Sequence, residues 1–136
     1  MNAPKFGLAI ALILASNIAH AACELPTASE SDKALPSNYA LSYQTVPAQI
    51  GVAEHFTLLI TVCSSKGAPF TGELRADAHM PIHKHGMNYL PKVIKLGDGE
   101  FRAEGFMFHM PGHWQFKFDL KDVDHSEQLT RDYKIK

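Results

Sequence analysis

Histidine and methionine crowd one part of this chain. Apart from the initiator, every methionine (Met80, Met87, Met107 and Met110) lies between residues 79 and 113. So do His79, His83, His85, His109 and His113, five of the eight histidines. Within that window His79-Met80-Pro81-Ile82-His83 is echoed by His109-Met110-Pro111-Gly112-His113. Thioether sulfur is a soft neutral donor and imidazole an intermediate one, so the mixture suits copper in either oxidation state. Zinc sites draw instead on Cys, His and carboxylate. On an extended segment His83 and His85 project to the same side, about 7 Å apart at Cα, and can share one ion. Pro81 stiffens the approach, and Gly86 relieves crowding behind the pair. The candidate ligands are therefore His79, Met80, His83, His85, Met87, His109 and Met110, with copper as the expected cofactor. Taken singly, Met80, Met107 or Met110 reads first as a core filler, which is what lone methionines usually are. His79 and His113 read likewise as surface residues, and His109 as a hydrogen-bonded one. Only the clustering favours a metal. His55 and His125 stand apart and carry no functional expectation.

The elements that must position these residues are strands. Tyr39, Leu41 and Tyr43 alternate with small or polar neighbours, as do Phe56, Leu58, Ile60 and Val62, then Leu74, Ala76, Ala78 and Met80. Val93–Leu96 and Phe101–Phe108 flank Gly97-Asp98-Gly99, a hairpin signal. Trp114, Phe116, Phe118 and Leu120 alternate again, and Leu129, Tyr133 and Ile135 share one parity. The alternation predicts strands near 39–46, 54–63, 73–80, 91–96, 100–108, 113–120 and 128–135, with no sustained helical period in the mature chain. The expected fold is all-β, an immunoglobulin-like antiparallel β-sandwich of about seven strands. One local feature selects the sandwich. A tight hairpin at Met110-Pro111-Gly112-His113 would expose either Phe108 or Phe116. A crossing between sheets there lets Phe106, Phe108, Trp114, Phe116 and Phe118 all point inward. Immunoglobulin-like folds make such a crossing before a buried aromatic, usually Tyr, and Trp114 takes that place.

The ends indicate the compartment. Lys5, the apolar run Phe6–Ile18 and Ala19-His20-Ala21 have the order of a secretory signal peptide, expected to span 1–21. The apolar run is too short for a membrane anchor. A lipid-modified Cys23 is the lesser alternative, because His20 stands where such signals usually carry Leu. Residues 22–38, with Pro26 and Pro36, read as an arm, and 39–136 as the domain. Without Lys5, twelve basic residues face fourteen acidic ones, a formal charge of −2. That balance offers no footprint for nucleic acid and none for an anionic membrane. No other segment is long enough to span, so no membrane span is expected after cleavage. The two cysteines, Cys23 and Cys63, point to a disulfide in an exported chain. Thiolate ligation and free thiols are the rival readings, and both residues lie outside the His/Met window. The expected location is periplasmic or secreted.

The segments Ala78-His79-Met80-Pro81, His83-Lys84-His85-Gly86-Met87-Asn88 and Phe108-His109-Met110-Pro111-Gly112-His113-Trp114 together resemble the YtkA-like and FixH-like families. These are small bacterial extracytoplasmic domains with a sandwich fold. The resemblance covers roughly residues 40 to 135 and implies a YtkA-like domain, copper handling, and attention to Met80, His83, His85, His109 and Met110. The expected function is that of a periplasmic copper-binding protein, a carrier or accessory for a copper-dependent or respiratory-type periplasmic or membrane partner. The alternative is a metal-free interaction module that assists assembly of such a complex. An enzyme is not expected, since no nucleophile–base–orienter signature is present.

Overall fold

The computed structural model describes residues 22–26 and 37–136. The signal-peptide reading of 1–21 and most of the arm, 27–36, lie outside the described residues. Eight strands form two antiparallel sheets: β1 (Tyr39–Val46), β2 (His55–Ser64), β3 (Glu73–Met80), β4 (His85–Gly86), β5 (Lys92–Gly97), β6 (Glu100–Met107), β7 (Gly112–Lys121) and β8 (Ser126–Ile135). One sheet has the order β1-β2-β6-β5 and the other β4-β3-β7-β8. With β4 as an added edge, this is the strand arrangement of an immunoglobulin-type sandwich. Period-2 alternation accounts for β2, β3, β6 and β7 most clearly. The shortest strand, β4, is two residues long and arises because the chain turns back on β3, pairing Met80 with His85 and His79 with Gly86.

The core lies between the sheets, and its aromatic centre comes from β6, β7 and the corner between them. Phe106, Phe108, Trp114, Phe116 and Phe118 are all fully buried. They reach one core because β6 belongs to one sheet and β7 to the other, so the chain crosses over at 108–111. A second device makes this possible. Phe101 and Ala103 face inward on odd positions, whereas Phe106 and Phe108 do so on even ones. The change of parity falls at Gly105, which is skipped in the pairing of Phe56 with Phe106 and Thr57 with Glu104. Its φ of 91° is the left-handed conformation that a glycine bulge requires.

The opposite end is held covalently. Cys23 and Cys63 form a disulfide with Cα atoms 5.7 Å apart, and the Cys23 N–H donates to the Gly67 carbonyl. Such a bond suits an oxidising compartment. Among the described residues no helix is long and apolar enough to cross a membrane. Next to the disulfide, the hydroxyl of Ser37 donates to Glu127, and the phenol of Tyr39 donates to Asp122 in the β7–β8 turn. Burial, then the Asp122 bond, pushes the phenol from 10.0 up to about 12. The Asp122 carboxyl is held below its ordinary range, first by Tyr39 and then by the backbone N–H groups of His125 and Asp124.

Two outcomes are expected from this architecture. A depressed carboxyl stabilises the fold above its unfolded pKa, and that contribution is lost as pH falls through the folded value. A raised phenol stabilises below its unfolded pKa and is lost as pH rises toward about 12. Tyr39→Phe should therefore flatten both limbs of a plot of urea midpoint against pH. Parallel curves for wild type and variant would show that the tie has no such role. Gly105→Ala places a Cβ at positive φ with no nearer neighbour than Pro91 Cα at 4.0 Å, so its cost is backbone strain alone. A loss of about 1–2 kcal/mol in denaturant unfolding is expected.

Candidate metal centre

The turn after β3, the β1–β2 loop and the β6–β7 corner meet at one end of the sandwich, the end opposite the disulfide. Cys63 stands eight residues along β2 from His55, about 26 Å away. The disulfide sulfurs therefore take no part in chemistry at the histidine end. The β3–β4 turn is closed by the Lys84 N–H donating to the Met80 carbonyl, and Lys84 itself adopts a φ of 55°. The β1–β2 loop is tied to the corner by the Ala53 N–H donating to the Phe108 carbonyl.

The corner is built around Trp114. Its indole N–H donates to the Met110 carbonyl at 3.0 Å, and its ring stacks on Phe108 with centroids 4.3 Å apart. This is the role that Tyr plays at the equivalent corner of immunoglobulin domains, a side-chain donor reaching back a few residues. Gly112, with a φ of 126°, completes the arrangement, because a Cβ there would stand 2.9 Å from the Met80 side-chain terminus. Met80 is buried beside it.

Three imidazoles stand over this base. The ring centroids of His83 and His85 are 5.8 Å apart, and those of His85 and His109 are 5.2 Å apart. His85 and His109 both meet the indole of Trp114 nearly at right angles, at 6.1 and 5.3 Å. His85 is half-buried, while His83 and His109 are exposed. His85 Nδ1 lies 3.3 Å from the Gly86 carbonyl. A carbonyl can only accept, so Nδ1 is the donor in this bond, and in the neutral ring that tautomer has its lone pair on Nε2, the arrangement usual for a metal-ligating histidine.

The geometry bears directly on whether these rings fit a metal. An imidazole nitrogen binds a transition metal at about 2.0 Å, so two rings on one ion have centroids roughly 5.1 Å apart if tetrahedral and roughly 6.2 Å if linear. Both neighbouring pairs fall within that span. Among the described residues, however, no three His, Cys, Asp or Glu side chains are gathered to hold an ion together. The two neighbouring pairs, His83–His85 and His85–His109, are therefore the candidate donors at this end.

The remaining expected ligands are distributed as follows. Met80 shares the face of His85 through their strand pairing, and Met87 and Met110 are half-buried against the core. His79 sits on the outer face of its sheet instead. Its Nε2 donates to Gln115, which donates to Asp132, and Asp132 also accepts from His113 Nε2 at 2.9 Å. These two donors, His113 first and then Gln115, hold the Asp132 carboxyl below its usual range. His79 still borders an open groove shared with Pro81, Lys84 and His85. The echoed pentapeptides thus split their histidines, with His83 and His109 at the end and His79 and His113 on the outer face.

Sequence reasoning missed two residues at this end. Trp114 was legible as a corner residue but not as the wall beneath two imidazoles. His55, which stands alone in sequence, lies at the same end with its ring 6.0 Å from that of Tyr89. No periodic signal links His55 to the window, because the β1–β2 loop brings it there only through the sheet. No protein-family model matches the chain, and no curated protein matches it.

Trp114→Phe keeps an aromatic ring but removes the indole donor and part of the buried volume. A loss of about 2–4 kcal/mol is expected in chemical denaturation, from a smaller core side chain and an unpaired Met110 carbonyl. An unchanged midpoint would mean that the corner does not depend on this bond.

Proposed function

We propose that this chain is a periplasmic copper-binding protein, a carrier or accessory that delivers copper to or protects a copper-dependent partner. The observation that carries the reading is the set of His83, His85 and His109, brought from two separate segments to centroid spacings of 5.8 and 5.2 Å. Thioethers accompany them at Met80, the cross-strand partner of His85, and at Met110, next to His109 in the chain, and that combination favours copper over zinc. Bound copper would act here as cargo held by imidazole nitrogens. The residues' part is to orient those nitrogens, through the Gly86 carbonyl on His85 and the indole wall of Trp114. The sequence resemblance to YtkA-like domains and the Cys23–Cys63 disulfide agree with an extracytoplasmic role.

A second reading, a metal-free docking module, draws on a different observation. Val46, Val52, Ile82, Tyr89 and Leu90 are exposed, and all lie in or beside the loops of the histidine end. A carrier also needs a surface that meets its partner, so the apolar rim fits either reading.

Replacing His83 and His85 together by Ala should weaken copper binding at least tenfold, about 1.4 kcal/mol. Thermal stability of the apo protein should hardly change, since His83 is exposed and His85 only half-buried. His125→Ala, in the turn at the disulfide end, should alter neither. Trp114 is the sole tryptophan and lies against His85 and His109, so its fluorescence quenching provides the titration signal. Copper affinity that survives the double substitution would place the site elsewhere. An absence of any saturable binding would favour the docking module.

A further inference from the structure

We infer that this site is built for a monovalent soft cation, cuprous copper, and discriminates against the cupric ion; the inference rests on the copper-binding reading above and adds the oxidation state. Three observations lead to it.

The first is the charge of the donors. His83, His85 and His109 offer uncharged nitrogen, and Met80 and Met110 uncharged sulfur. Both cysteines are joined to each other at the far end. Asp77, the one carboxylate bordering the adjacent groove, faces Lys117 at 3.6 Å, and the same groove carries Lys84. An ion seated here keeps its full charge.

The second is the base of the site. Met80, Phe108 and Trp114 are each at most 1% exposed. Against this floor the hydration an ion loses grows with the square of its charge, so a divalent ion is penalised more than a monovalent one, while the exposed His83 and His109 leave its other side to water. A neutral donor set cannot offset that difference with a carboxylate or thiolate.

The third is coordination number. Neighbouring imidazole centroids lie 5.8 and 5.2 Å apart, and among the described residues no three His, Cys, Asp or Glu side chains are grouped to hold an ion. The cupric ion favours four nitrogen or oxygen donors in a tetragonal plane. The cuprous ion has a filled d shell with no such demand and is satisfied by two imidazoles with or without a thioether. Met80, the cross-strand partner of His85, carries a thioether on the same face of the sheet.

The test is a pair of competition titrations on the full mature protein. Cuprous ion is offered under strict reduction against bicinchoninate, and cupric ion is offered in air against nitrilotriacetate. Silver(I) serves as a monovalent stand-in that undergoes no redox change. The expected result is at least a hundredfold tighter binding of Cu(I) than of Cu(II), with silver(I) quenching Trp114 at one equivalent. His83→Ala/His85→Ala should lose the Cu(I) and silver(I) responses together. Cupric binding equal to or tighter than cuprous binding would overturn the oxidation-state inference and leave the copper-binding reading standing. Failure to bind either copper ion would overturn both.

Discussion

The bond from the Trp114 indole to the Met110 carbonyl fixes the place where the chain leaves one sheet and enters the other. A fully buried indole needs a partner for its N–H, and the carbonyl of Met110, four residues earlier in the chain, accepts it. Meeting that requirement bends the corner so that Phe108 and Trp114 stack instead of lying on opposite sides of a hairpin. The packing of Phe56 against Phe106 and Phe108, and of Tyr43 against Phe116, follows from the same crossing. Each such buried ring contributes on the order of 2–3 kcal/mol. A fault at the corner therefore affects the whole core.

The same corner supports the candidate metal centre. His109 is placed by the segment that Trp114 holds, and His85 reaches the indole from across the β3–β4 turn. Rings packed against a rigid aromatic wall lose less freedom on binding an ion than rings on a flexible tail. Stability and ligand placement thus share residues here, with Trp114 serving both. The disulfide, Ser37–Glu127 and Tyr39–Asp122 are grouped at the other end. They fasten the arm and the turns there without constraining the histidine loops.

The echoed pentapeptides behave differently in space despite their similar sequence. In the first, His79 ends a strand and His83 lies in the turn beyond it. In the second, His109 lies in the corner and His113 begins a strand. Strand periodicity then sends His79 and His113 to the outer face, because Met80 and Trp114 beside them point inward. Gln115 and Asp132 join the two outer histidines into a hydrogen-bonded chain. The end cluster takes one histidine from each pentapeptide and adds His85.

Strands such as β2, β3, β6 and β7 were legible in the sequence, since alternation of buried and exposed residues is a local property that one segment can carry alone. β1 and β3 fall on the ranges that alternation predicts, and the crossing at Met110-Pro111-Gly112 follows from the parity of the aromatics on either side. The Cys23–Cys63 pairing was legible because only two cysteines exist. Tertiary structure decided the rest. The two-residue β4 has no period to read, and the bulge at Gly105 depends on pairing with β2. Whether His79 joins His83 or Gln115 depends on which face the neighbouring strand presents. The meeting of His85, His109 and Trp114 joins residues 24 to 29 positions apart in the chain, and His55 arrives at that end from further still. Proximity of this kind is a property of two sheets packed face to face, so no single stretch of sequence records it.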